Sequence, residues 1–290
     1  VFHVRGQVED RQMKNRLTAL FTLVMVFLFP CSPLLGQNYT VVMEKGMIDW
    51  SNGIAEAVGT GTPPPDPENK AQARAVAEKE AVLCARQNLL DLLRDLRIDS
   101  AACIKDLLAE GSLALRELEG YVQQSRVVET SYREEGLVQA TVAMKLWGPF
   151  IDRILPESIR PIRPVKQPKP PGQEKGEGYS GLVLDCRGLI VKPAIAPRIV
   201  DEDGKEVYGF AYASREHAVE QGMAGYVTTL ETAQSSQRVA GSPLTVKAIR
   251  TADWGLSDIV ISNSDADHIR RAASNLGFLQ KCRVVIVLDM

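Results

Sequence analysis

Histidine is almost missing from this chain: there are three in 290 residues, and only His217 and His268 lie beyond position 36. That scarcity removes the commonest metal ligand and the commonest general base from most of the molecule. Cysteine is also sparse, at five, and no Cys-x-x-Cys pair occurs, so neither a redox motif nor a zinc ribbon is indicated. Aromatic residues make up only 6%, which predicts cores built from aliphatic side chains. A basic excess is lacking too. The formal net charge is −2, which argues against a nucleic-acid-binding surface. No Gly-x-Ser-x-Gly elbow marks a nucleophile.

What is present begins with a processing signal. Met13 is followed by Lys14 and Arg16, then by an almost wholly apolar run from Leu17 to Phe29. Pro30 and Pro33 follow, and small Gly36 closes the segment. A basic start, a short apolar core and a small residue predict a secretory signal peptide cut after Gly36. The apolar run is short for a membrane span, and nothing after it is long and apolar enough. Residues 1–12 read as an upstream extension. Cys31 raises lipidation as a variant of the same processing, but Phe29-Pro30 is a poor fit where small residues are expected. Removing residues 1–36 leaves 30 basic and 34 acidic residues, a net charge of −4.

Export changes what the remaining cysteines mean. Cys84, Cys103, Cys186 and Cys282 are even in number, and an oxidising compartment favours disulfides, with three connectivities open. Cys84–Cys103 and Cys186–Cys282 are the expected pairs because each falls within one domain. The alternative is buried free thiols.

Domain organisation follows from proline. Residues 156–178 hold six prolines and three glycines, a composition that continues neither helix nor ladder and predicts a semi-rigid spacer. Arg160, Arg163, Lys166 and Lys169 make its middle basic. It separates an N-terminal domain, residues 37–155, from a C-terminal domain, residues 179–290. In the first, Asn52-Gly53 between apolar runs predicts a hairpin. Asp66-Pro67 predicts the start of a helix running to about Leu96, Ala-rich in its first half. Two strands, Tyr121 to Tyr132 and Leu137 to Leu146, turn at Gly136, with Val138, Ala140, Val142 and Met144 on one face. In the second, Gly181 to Cys186 reads as a strand, and Asp203-Gly204 as a hairpin turn. Ser214 to Met223 reads as a helix, and Arg283 to Leu288 as a central strand. The fold class expected is α+β: two small domains of antiparallel or mixed sheets packed by helices.

Motifs that carry chemistry are weak. Gly59-Thr60-Gly61 lacks the Lys-Ser/Thr pair of a phosphate loop and runs into Pro63-Pro64-Pro65, which have no N–H to offer. It reads as a strand exit where glycine permits a bend. Asp265-Ala266-Asp267-His268 reads as first-turn acids on a helix rather than a metal cluster. Asp201-Glu202-Asp203-Gly204 lacks the later ligands of a calcium loop. No catalytic, cofactor-binding or metal residue is assigned, no cofactor is expected, and the expectation is a protein that is not an enzyme.

Trp50-x-x-Gly53, Ala57-Val-Gly59-Thr-Gly61, the Ala-rich helix and two closing strands resemble a known family. It is the small outer-membrane lipoprotein family that shares a domain with the flagellar H-ring assembly protein T and flagellar ring protein P. The resemblance covers about residues 45–147 and implies a compact α+β module without catalytic residues. It implies a scaffold or assembly factor at the periplasm or outer membrane, with envelope or flagellar proteins, or further copies of itself, as partners. The alternative expectation is a periplasmic binding module for a cell-wall glycan or small ligand, with Trp50, Trp147 and Trp254 as stacking faces. A third is a hydrolase whose site is assembled from distant residues.

Overall fold

A computed structural model describes residues 38–65, 69–155, 178–252, 255–271 and 276–290. The N-terminal module is organised by strand β3 (Ile54–Gly61), whose buried positions are Ala55, Ala57, Gly59 and Gly61. With β1 (Thr40–Met43), β2 (Gly46–Asp49), β4 (Arg126–Tyr132) and β5 (Val138–Lys145) it makes an antiparallel sheet in the order β1-β2-β3-β5-β4. Helix α1 (Lys70–Arg94) covers one face, burying Ala73, Ala77, Ala81 and Ala85 and then Leu89, Leu92 and Leu93. Asn69 caps it, its side chain accepting from the Ala71 and Gln72 N–H groups. The start expected at Asp66-Pro67 lies outside the described residues.

Gly59 and Gly61 do not bend the chain. A Cβ on Gly59 would lie 2.1 Å from the Ala85 nitrogen, and one on Gly61 2.0 Å from the Ala77 carbonyl oxygen. The two glycines let the helix backbone rest on the strand, matched by alanines every fourth residue. The strand does end at Gly61, as expected, but the role given to the glycines is corrected: the pair serves close helix–sheet approach.

Two short helices follow, α2 (Ile104–Ala109) and α3 (Leu115–Gln123), separated at Gly111, where φ is +74°. Tyr121 therefore belongs to α3 and not to the strand expected from it. Gly136 turns β4 into β5 at φ +78°, as the sequence predicted. Helix α4 (Pro149–Ile154) closes the module.

In the C-terminal module, β6 (Leu182–Asp185), β9 (Gly225–Val227), β10 (Leu244–Lys247) and β13 (Val284–Val287) form an all-parallel sheet, order β10-β6-β13-β9. Strand β13 is internal, as expected. Strands β7 (Arg198–Val200), β8 (Glu206–Tyr208), β11 (Arg250–Ala252) and β12 (Gly255–Val260) form a mixed sheet, order β11-β12-β7-β8. Helices α5 (Arg215–Gln221), α6 (Leu230–Ser235), α7 (Asn263–Arg271) and α8 (Leu276–Gln280) complete it. The protein is α+β, with one antiparallel, one parallel and one mixed sheet packed by helices.

The two modules share one core, and residues Gln37–Met290 form one compact unit. Three seams join them. Ser51 Oγ accepts from the Tyr39 N–H at 2.8 Å and donates to the Tyr226 carbonyl at 2.5 Å, while Trp50 meets the Tyr226 ring edge-on at 5.5 Å. The Ile195 and Ala196 N–H groups donate to the carbonyls of Arg97 and Ile98. Beside them, the fully buried Asp258 carboxylate pairs with Arg198 at 2.5 Å and accepts from Ser100 Oγ at 2.8 Å. The Gly148 N–H donates to Val219, and Arg215 Nε meets Asp152 at 2.8 Å. Almost all of the proline-rich segment, residues 156–177, lies outside the described residues.

Candidate functional site

The most site-like feature is a cleft of about 470 Å³ on the N-terminal module, at the end of the sheet where β3, β4 and β5 meet α3 and α4. Its position follows from strand alternation. Val138, Ala140, Val142 and Met144 of β5 turn inward, so Ala143 and Lys145 face outward; at this end of the sheet Met144 lines the cleft with them. Register places Arg126 of β4 opposite Ala143, on that same outward face. A bulge between Val127 and Glu129 displaces Val128, which also lines the cleft.

The end wall is aromatic. Tyr121, from the last turn of α3, meets Phe150 of α4 edge-on at 5.5 Å and donates from its hydroxyl to the Pro149 carbonyl at 3.2 Å. Trp147 is held between two glycines: a Cβ on Gly53 would lie 2.0 Å from its Nε1, and one on Gly222 would lie 2.8 Å from its outer ring. The indole thus ties the β2–β3 turn to the end of α5. Gln124, Arg126 and Lys145 are the polar lining residues, and no carboxylate lines the cleft. Its size falls within the range of small-ligand pockets.

A second cavity, about 580 Å³ between α1 and α3, has a different character. Its Arg86 is already engaged by Gln123 and Ser125, and Glu119 lies in the same wall.

Among the sequence-predicted site residues, the cysteines do not pair. Cys84, Cys103, Cys186 and Cys282 are free thiols. Strands β6 and β13 are neighbours, but they run parallel with Val284 opposite Leu182. Cys282 is therefore level with position 180, six residues from Cys186, or roughly 20 Å at strand rise. Cys84 sits mid-helix in α1, while Cys103 caps α2 beside the helix's far end, about 15 Å away at helix rise. A disulfide needs Cα atoms within about 7 Å. Both expected bridges are corrected on these grounds. Burial pushes the Cys186 and Cys282 thiols up and leaves them unreactive.

The acidic motifs resolve into structure. Asp201 accepts from the Asp203 and Lys205 N–H groups and pairs with Arg270 at 2.8 Å, closing the β7–β8 hairpin. Burial acts to raise its carboxyl pKa, but Arg270 and the two N–H groups outweigh that and hold it below the usual carboxylate range. Asp265 is engaged by Ser262 at the head of α7, and His268 is exposed against Tyr179. Among the described residues no group of three His, Cys, Asp or Glu side chains could hold a metal. Trp50 is core, and Trp254 lies outside the described residues. Of the two tryptophans among the described residues, only Trp147 lines the cleft. Tyr121, Arg126, Lys145 and Phe150 had no sequence signal, because only β4–β5 register and the α3 boundary bring them together.

Comparison with known proteins touches the other module. Residues 181–290 match the family described as Treponema pallidum Tp0624, second domain. The match begins at the head of β6, and the cleft lies outside it. No curated protein matches the chain.

Proposed function

We propose that this chain is an exported, non-enzymatic envelope protein that scaffolds an assembly at the periplasm or outer membrane, in the flagellar setting that the resemblance over residues 45–147 implies. One observation carries the scaffold reading. Strand β4 ends its sheet, Val127 and Val128 are 46% and 55% exposed, and among the described residues no strand pairs with its outer side. A free edge presents a row of N–H and C=O groups that template another chain. The fused seams supply a stiff body on which such contacts can be held. The signal segment, residues 1–36, and Cys31 lie outside the described residues. Among the described residues no helix is long and apolar enough to cross a membrane.

The test is envelope fractionation followed by cross-linking and mass spectrometry on native cells. Co-fractionation with outer-membrane or basal-body proteins, with cross-links near β4, is the expected result. A periplasmic monomer without protein cross-links overturns the scaffold reading. The cleft favours a second reading, a binding module, because aromatic walls and converging cations are what such a module needs.

A further inference from the structure

We infer that the cleft and the free edge of β4 together form a receptor for the C-terminus of a partner polypeptide. The partner is an extended segment ending in a large apolar residue with a free α-carboxylate. The inference rests on the scaffold reading and names the kind of partner.

Charge is the first argument. Arg126 lies opposite Ala143, and Lys145 is two residues further along the same face, so the two cations are diagonal neighbours, about 7–8 Å apart at the backbone. Neither makes an ion pair or side-chain hydrogen bond among the described residues. Glu56 shares the face on the far side of Ala143 but does not line the cleft. Two adjacent unpaired cations beside an apolar wall favour an anion between them.

Shape is the second. Tyr121, Trp147 and Phe150 form one wall, with Ile54 and Val128 completing an apolar space that fits one large side chain. Beyond the Tyr121 hydroxyl, already bonded to the Pro149 carbonyl, and the Trp147 indole N–H, Gln124 is the one uncharged polar side chain in the lining. A ligand rich in hydroxyl groups would leave many of them unmatched there, whereas a terminal residue brings one amide and one carboxylate.

Direction is the third. A strand added antiparallel to β4 pairs with Glu129–Tyr132 and runs toward Arg126, so its C-terminal end arrives at the cleft. The bulge interrupts regular pairing at that point, with Val128 at the cleft. Backbone pairing would supply affinity, and the cleft would select the terminal residue.

The experiment measures fluorescence anisotropy of the purified full chain with labelled hexapeptides Thr-Val-Thr-Val-Thr-Phe, -Leu and -Val. Each is prepared as the free acid and as the C-terminal amide, and unlabelled N-acetylphenylalanine serves as competitor. The expected result is binding of the Phe or Leu acid that weakens about tenfold or more on amidation, from lost charge-assisted hydrogen bonds. The Arg126→Met/Lys145→Met variant keeps the apolar stems and should bind acid and amide alike. N-acetylphenylalanine should compete far more weakly than the peptide acid. Equal binding of acid and amide by the wild-type chain overturns the proposal. So does an acid preference that survives in the double variant. Competition by N-acetylphenylalanine as strong as the peptide acid assigns a small-acid site instead. No binding by any peptide sinks the receptor, while cross-links to envelope proteins in native cells would still leave the scaffold reading standing.

Discussion

The two modules pack their sheets in opposite ways. In the N-terminal module the contact between α1 and β3 is made by leaving side chains out: Gly59 and Gly61 meet the backbone of Ala77, Ala81 and Ala85. In the C-terminal module the parallel sheet fills space from both sides. Val183, Val285 and Val287 pack under α6, and Leu182, Leu184 and Ile286 enter the shared core. A parallel sheet buried on both faces has little surface left for a partner. The antiparallel sheet keeps its β4 edge open, and the cleft lies beside it. On the proposed scaffold reading, recognition falls to the first module and support to the second.

The largest effect should come from the buried carboxylate beside the second seam. Arg198→Ala removes the guanidinium that meets the fully buried Asp258 carboxylate, and about 3–5 kcal/mol of stability should be lost in denaturant unfolding. A loss no larger than that of an ordinary surface substitution would mean that the contacts Asp258 keeps are enough to hold the buried carboxylate.

Next come paired substitutions that set the two packing modes against each other. Gly59→Val drives a side chain into helix backbone that cannot rotate away, and should cost about 3 kcal/mol or more. Ile286→Val in the parallel sheet removes one methyl group and should cost about 1 kcal/mol. Reversal of that order in thermal or denaturant midpoints would break the comparison.

A smaller effect is expected from acid. The Arg187 guanidinium, donating to both oxygens of Asp185, holds that carboxyl below its usual pKa against the opposing effect of burial. A group depressed in the folded state contributes stability above its unfolded pKa, near 3.9, and loses it as pH falls through the folded value. Asp185→Asn should therefore flatten the stability curve below about pH 4 and leave its shape near pH 7 unchanged. An identical acid limb in the variant would remove Asp185 from acid unfolding.

The smallest change tests the thiols. Residues 37–290 should show no mass gain on reduction, and four alkylated cysteines after denaturation without reductant. Two bridges would instead add four hydrogens on reduction and restore the pairing expected from the sequence.

Much of this architecture is legible in the chain because it is written in local periodicity. Alternation along β5, the Ala stripe of α1, the Gly136 turn, Pro149 at the head of α4 and the apolar run of β13 each need only neighbouring residues. So does the Asp201–Lys205 hairpin, where one carboxylate satisfies its own turn. The short strand β9 and helix α6 carry too few residues for such a signal, and the apolar neighbours of Tyr121 read as strand although it ends a helix.

What the sequence by itself determined is composition, element type and the α+β class, since these rest on side-chain pattern and turn chemistry. Tertiary structure alone decided that β6 and β13 run parallel, which separates Cys186 from Cys282, and that Gly59 and Gly61 meet a helix rather than a ligand. It alone brought Arg126, Lys145 and Tyr121 to one cleft, because strand register and helix packing join residues whose spacing along the chain carries no trace of their contact.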